Sequence, residues 1–359
     1  MIQKNILIFS IGSIGDTLVA LPAIEAIVST HEGCRFVFLT DRHPTTSGYV
    51  SSWDIVGRMN YCDEVVFYDA NIQSKWVEIK SILALQLRLK RFNFVHAYNL
   101  VQRTTMWQVR RDKIFFSFLV GIKNYVSSKI THTLPNNQNG KIPLRSPKWR
   151  ELLELVGIGI NITEFHLQLP SAVYVELEAA WPCHLKKNQK IIAFVPGSKM
   201  SAKCWPEARF AEIGRLLLKQ IPDLKIAIVG GIEDTQLGDR LCTIWGEDHS
   251  FNFAGKLSVL GSAALLERCT LFIGNDTGSM HLAAIVGVPC VAIFSSRDYP
   301  GRWEPFGKNH TILRRDLDCS GCMLQTCEDR NNACLDAIST ECVFNAALKQ
   351  LKRLNIKPE

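Results

Sequence analysis

Short apolar segments alternate with amphipathic ones along most of this chain, and that rhythm narrows the available folds more than any single residue does. NILIFS (5–10), RFVFLT (35–40), EVVFYD (64–69), FNFVHAY (92–98) and KNYVSS (123–128) read as strands in the first half. KIIAFVPG (190–197), KIAIVGG (225–231), TLFIGN (270–275) and PCVAIF (289–294) read as strands in the second. Helical patterns fit between them near 206–221, 233–245 and 258–269, and another helix follows the first strand from about Asp16. Strands alternating with helices are the pattern of α/β domains built on parallel sheets. At 359 residues the chain exceeds the usual size of one core. Two Rossmann-like halves are therefore expected, 1–175 and 176–359, joined within HLQLPSAVYVELEAAWPCHLKKNQ (166–189).

The longest apolar run, Leu282 to Phe294, is shorter than the roughly eighteen residues a membrane span needs and carries Pro289. Asp16 and a glycine-rich turn interrupt the N-terminal apolar region, which reads as a first core strand rather than a signal peptide. The twelve cysteines are dispersed, so reduced thiols in the cytoplasm are the expectation.

In sheets of this kind ligands bind beyond the carboxyl ends of the strands, so the polar residues there are the candidates for function. The first group is SIGSIGDTLVALPAI (10–24). Its glycines, Gly12 and Gly15, allow a tight turn, but their spacing is not the dinucleotide fingerprint. Asp16 either caps the helix that follows or serves as a general base. The second is FVPGSKMSAKCWPEARFAEI (194–213), where Ser198, Lys199, Lys203 and backbone N–H groups either make a phosphate site, without a Walker A pattern, or leave two lysines facing solvent in a loop. IVGGIEDTQ (228–236) follows, with Glu233 placed to accept hydrogen bonds from a ribose diol or to favour a helix N-terminus. The fourth, IGNDTGSMHLAAIVGVPCVAIF (273–294), sets Asp276, Thr277, Gly278 and, one turn on, His281 between two core strands. Hydroxyls and free N–H groups there suit a diphosphate, and Asp276 suits sugar hydroxyls.

Charge is unevenly spread. Residues 75–150 hold 15 Lys or Arg against 2 acidic residues, whereas residues 171–359 hold 22 against 21. This basic stretch is either a solvated face or a surface for something anionic, with VQRTTMWQVRRDK (101–113) as its centre. No nucleic-acid motif accompanies it, so a nucleic-acid partner is not expected.

Taken together, IGSIGDTLVALPAI, PGSKMSAKCWPEARF, GNDTGSMHLAAIVGVPCVAIF and the tail CSGCMLQTCEDRNNACLDAISTECV resemble the family 9 glycosyltransferases, best known as ADP-heptose:lipopolysaccharide heptosyltransferases. The resemblance implies a GT-B fold, two facing Rossmann-like domains with a cleft between them, with the acceptor on the first and the nucleotide sugar on the second. It also implies inverting transfer without a metal or other cofactor. By motif, Asp16 with Gly15 beside it becomes the acceptor base. Lys203 offsets charge on the leaving diphosphate, with Ser198 and Lys199 nearby. Glu233 becomes the ribose contact, and Asp276, Thr277, Gly278 and His281 form the donor turn. The implied partners are a nucleotide sugar, ADP-heptose first, and a phosphorylated lipid-linked or core glycan acceptor met at the inner membrane. Another nucleotide sugar or acceptor, an epimerase of similar architecture, and a non-catalytic sugar-nucleotide binder stay open. Cys319, Cys322, Cys327 and Cys334 are read as a reduced structural cluster, with zinc as the alternative.

Overall fold

The computed structural model describes residues 3–42, 51–69, 75–128, 142–157, 165–183, 185–186 and 189–355. Residues 129–141 of the basic stretch, and 184 and 187–188 of the expected junction, lie outside the described residues. The chain divides into two compact units: Met1–Leu134 with Lys148–Ile162, and Pro135–Pro147 with Thr163–Glu359.

In the first unit β1 (Asn5–Phe9), β2 (Arg35–Arg42), β3 (Glu64–Asp69), β4 (Phe94–Asn99) and β5 (Asn124–Ser127) form a parallel sheet in the order β3-β2-β1-β4-β5. Parallel strands need crossover helices, which cover both faces, so a central strand must be apolar along its length rather than on alternate residues. Accordingly Ile6, Leu7 and Ile8 of β1 are all fully buried, with Leu7 opposite Val37 and Ala97. The helix Ile14–Thr30 follows β1, and the helix Lys148–Val156 returns to pack against it.

The second unit repeats the plan with β6 (Ile191–Val195), β7 (Lys225–Ile228), β8 (Ser250–Asn252), β9 (Leu271–Asn275), β10 (Cys290–Phe294) and β11 (Thr311–Arg314). All six are parallel, in the order β11-β10-β9-β6-β7-β8. Its core joins Phe194 of β6 to Phe210, Leu217 and Trp245 of the flanking helices Glu207–Gln220 and Thr235–Trp245. The C-terminal helix Thr340–Arg353 closes the same side through Val343, Ala347 and Leu351. Residues 171–180, inside the segment read as the junction, form a helix packed on the helix Val259–Glu267 of this unit.

The strands read from the sequence are all present: β3 has the expected bounds, β2 runs two residues further, β4 starts two residues later and ends one later, and the others are shorter by one to three residues. Two strands were not expected, β8 and β11. Both lie at the margins of their sheet, and with three and four residues they are too short to show a period. Among the described residues no helix is long and apolar enough to cross a membrane.

At Gly214 a β-carbon would overlap the Trp245 indole, whose N–H donates to the Ala211 carbonyl at 2.8 Å. Gly214→Ala should therefore lower stability by about 1–3 kcal/mol through overpacking, despite alanine's better helix propensity. Urea unfolding measures this, and an unchanged or raised midpoint would show that the indole can yield.

Candidate functional site

Both sheets reverse their strand order at one place, between β1 and β4 in the first unit and between β6 and β9 in the second. Crossovers leave such a point in opposite directions, and the loops at the strand carboxyl ends part there to leave a crevice. Each unit carries its candidate residues at this point.

In the first unit a cavity of about 220 Å³ lies beyond β1 and β4, lined by Gly12, Asp16, Gln102, Arg103 and Lys148 among others. Gly12 has φ of +124°, a conformation other residues rarely adopt, and a β-carbon there would come within 2.8 Å of the Asp16 carboxylate. Gly15 sits in the first helical turn without such a requirement and is not among the lining residues. The helix begins at Ile14, two residues earlier than expected, and Ser13 is its N-cap. Asp16 is thus the third helical residue and reaches back over the cap: its Oδ2 accepts from Ser13 N at 3.1 Å and Ser13 Oγ at 2.9 Å. Its other oxygen accepts from Lys148 Nζ at 2.5 Å. Burial pushes the Asp16 carboxyl up, but the Lys148 charge and hydrogen bond, with the two Ser13 donors, outweigh it and hold the group below the ordinary carboxylate value. Sequence reasoning missed Lys148, which lies 132 residues from Asp16 at the start of its own helix. The only local sign was a lysine in a basic stretch.

The segment 101–113 is less free than its composition suggests. Arg103 and Arg111 both bond the buried Asp112, at 2.6 and 2.8 Å, and Arg111 also lies over the Trp107 ring. Arg110 remains exposed on the helix Met106–Lys113.

In the second unit the loops after β6 and β9 are tied by Asn275, which is fully buried. Its Nδ2 donates to the Pro196 carbonyl at 2.7 Å, and its Oδ1 accepts from Trp205 N at 3.1 Å. That fixes the positions of Ser198 and Lys203 relative to the turn. Lys203 Nζ pairs with Asp276 at 2.6 Å, both side chains being largely buried. Thr277 caps the helix Gly278–Ile285, yet its Oγ1 is buried with no partner among the described residues. Ser295 Oγ, just after β10, is likewise unpartnered. Gly278 opens the helix, whose first N–H groups have no intrahelical acceptor. A lysine, an unpartnered threonine hydroxyl and a helix N-terminus at this switch point are groups with which an anion could bond.

The remaining candidates fall around it. Ser198 Oγ accepts from Met200 N at 3.3 Å, and Lys199 is exposed in the same turn. Glu233 is exposed, whereas its neighbour Asp234 accepts from Gly231 N at 3.0 Å and lies against Gly197 and Gly230. Burial and the Glu233 charge raise the Asp234 carboxyl despite the Gly231 N–H. Sequence reasoning chose Glu233 alone, because adjacent acids at a helix start look equivalent until packing separates them. His281 is buried within its helix, edge-on to Trp303 at 6.3 Å.

The cysteine-rich tail has a mechanical part in this site. Gln325 O accepts from Ala202 N at 3.0 Å, and Asn332 Nδ2 donates to Ser201 O at 3.0 Å, which holds the Ser201–Lys203 turn from outside. Its thiols are unpaired, and among the described residues no group of three or more His, Cys, Asp or Glu is arranged to hold a metal ion.

Two α/β units, each a doubly wound parallel sheet with polar residues at its switch point, belong to the class of folds whose ligands bind beyond the strand carboxyl ends. The profile of glycosyltransferase family 9 (heptosyltransferase) matches residues 147–332, and this chain belongs to that family. The match includes Lys148 and the second-unit site and leaves out the Asp16 segment. Lipooligosaccharide heptosyltransferase 2 of Campylobacter jejuni is 30% identical over 178 residues, 49% of this chain and 55% of that protein. Lipopolysaccharide heptosyltransferase 2 of Escherichia coli K12 is 27% identical over 139 residues, 36% and 39% of the two chains. The matched stretches thus span about half the length of these relatives or less. In fold the chain is similar to E. coli ADP-heptose lps heptosyltransferase II, with TM-score 0.67 and 17% identity over 98% of this chain and 99% of that one. A family 9 glycosyl transferase from Veillonella parvula gives 0.70 and 19%, over 98% and 97%. The architecture is that of the GT-B glycosyltransferases.

Because the folded Asp16 pKa is depressed, the Asp16–Lys148 pair contributes its stability above the unfolded value, about 3.9, and loses it as pH falls through the folded pKa. In Lys148→Met burial is left to dominate and the Asp16 pKa rises. The deficit of this variant against wild type should be largest near neutrality and shrink toward pH 4. Urea midpoints across that range test it, and a deficit independent of pH would show that Lys148 acts by packing alone.

Proposed function

We propose that this chain is an inverting, metal-independent glycosyltransferase that moves heptose from ADP-heptose onto a lipopolysaccharide core or related glycan acceptor. The observation that carries the reading is the second-unit anion site, where Lys203, paired with Asp276, stands beside the unpartnered Thr277 hydroxyl at a helix N-terminus. The names of the relatives support the heptosyl donor, since the stretches they share with this chain overlap in sequence at 30% and 27% identity.

In this reading the acceptor hydroxyl attacks the anomeric carbon of the donor from the face opposite the diphosphate. Asp16 takes the hydroxyl proton as the new glycosidic bond forms. The bond between the anomeric carbon and the diphosphate oxygen breaks, and ADP leaves with its electron pair. Lys203, the Thr277 hydroxyl and the N–H groups at Gly278 offset the charge that develops there. Asp276 exchanges part of its contact with Lys203 for donor sugar hydroxyls, and Glu233 or the neighbouring Asp234 accepts from the ribose. Lys148 keeps Asp16 ionised through the neutral range and holds its carboxylate in place. The acid limb of kcat/KM therefore lies below the ordinary carboxylate value and moves upward in Lys148→Met. The exposed arginines and lysines of the first unit draw a phosphorylated acceptor at the cytoplasmic face of the inner membrane.

Calorimetry with ADP, UDP, GDP and CMP tests the donor. ADP should bind tightest, and Lys203→Ala should weaken it by about ten- to a hundredfold, the cost of one charge-assisted contact. Asp16→Asn should keep ADP binding while abolishing transfer. Tighter binding of UDP or GDP would move the donor, and loss of ADP binding in Asp16→Asn would remove that residue from the role of base.

A further inference from the structure

We propose that the first unit docks on an anionic lipid bilayer through an exposed apolar face formed by the helix Lys75–Lys90 and the adjoining segment Met106–Val120. This deepens the reading above, resting on it only for the idea that the acceptor is lipid-linked.

The helix Lys75–Lys90 is apolar on two opposite sides. Leu85 and Leu89 pack into the core of the unit. Trp76, Ile79, Leu83 and Leu87 recur at three- and four-residue spacing, which puts them on one face, and that face is exposed: Trp76 at 77% and Leu87 at 61%. A surface helix with one apolar stripe needs no partner beyond its own core. A second stripe of this length, facing solvent, marks a surface meant to be covered.

The neighbouring segment adds exposed apolar side chains of its own. Gln86 Nε2 donates to the Leu119 carbonyl at 2.8 Å and ties the two together. Trp107 and Phe118 on that segment are 68% and 77% exposed. Between the helix and this segment runs a groove of about 1050 Å³, lined by Ile82, Ile114 and Leu119 among others, on the side of the helix away from Trp76, Ile79, Leu83 and Leu87, so apolar surface reaches solvent on both flanks of the helix.

Composition points to lipid rather than to protein. Residues 75–120 carry nine Lys or Arg against two acidic residues, and Lys80, Arg88, Lys90 and Arg110 are exposed around the apolar side chains. Protein interfaces are depleted in lysine at their centres. Tryptophan and phenylalanine framed by lysine and arginine are instead the signature of segments that lie in the headgroup region. The face lies on the unit that carries Asp16, so docking holds that unit at the membrane.

The test uses the full chain and vesicles free of acceptor: phosphatidylethanolamine with phosphatidylglycerol, against phosphatidylcholine alone. Wild type should co-sediment with the anionic vesicles, more weakly at high salt, and brominated lipid should quench its tryptophan fluorescence. The double variant Leu83→Glu, Leu87→Glu should lose at least roughly tenfold in vesicle binding while keeping its circular dichroism and ADP affinity. The charge variant Lys80→Gln, Arg110→Gln should weaken binding to anionic vesicles without changing the thermal midpoint. No binding by wild type, or equal binding by the double variant, overturns the proposal. A concentration-dependent oligomer that the double variant dissolves would also overturn it, in favour of a subunit interface. Vesicle binding together with absence of ADP binding would leave this surface standing and defeat the heptosyltransferase reading alone.

Discussion

The candidate site residues of both units are placed by the points where the two parallel sheets change direction. A parallel sheet must be built outward from a starting strand, and each unit builds first one way and then the other, from β1 and from β6. The loops leaving the first strand and its later neighbour diverge, and polar groups can collect there without interrupting the core. Ile6–Ile8 and Ile191–Val195 are buried on both faces for this reason, and the first polar residues appear as soon as those strands end.

At the second switch point Asn275 bears the structural load. A buried amide with both ends bonded costs little to bury and fixes the geometry of whatever it joins, whereas one with either end unmet would be expensive. Joined in this way, the β6 loop and the β9 turn hold a buried ion pair next to an unmet threonine hydroxyl. A buried pair of this sort adds little net stability, because desolvation offsets most of the attraction. The tail supports it from outside, so the four clustered cysteines belong to a segment whose backbone and amide contacts, rather than its thiols, reach the site.

The first switch point shows a different economy. Asp16 shares its two oxygens between the start of its own helix and a lysine from a helix that returns to the unit after a long excursion. The carboxylate is thereby kept charged in a partly buried position, where burial alone would have favoured the neutral acid. Capping and base were set against each other as readings of this residue. Its bonds to Ser13 satisfy the helix terminus and leave the outward oxygen to Lys148, so one does not preclude the other.

Strand content, the two α/β halves and the strand-end location of the polar groups were legible in the sequence because each rests on a local pattern: apolar runs, helical spacing, glycine after a strand. Asp16, Lys203, Asp276 and Thr277 were legible for the same reason, as polar residues where a core segment stops. Tertiary structure alone decided the rest. It brought Lys148 to Asp16 across 132 positions, set Lys203 against Asp276, and distinguished half-buried Asp234 from exposed Glu233. It also turned one stripe of the helix Lys75–Lys90 inward and left the other in solvent. None of these could be read along the chain, since pairing and burial depend on which distant surfaces meet, and local pattern carries no record of that.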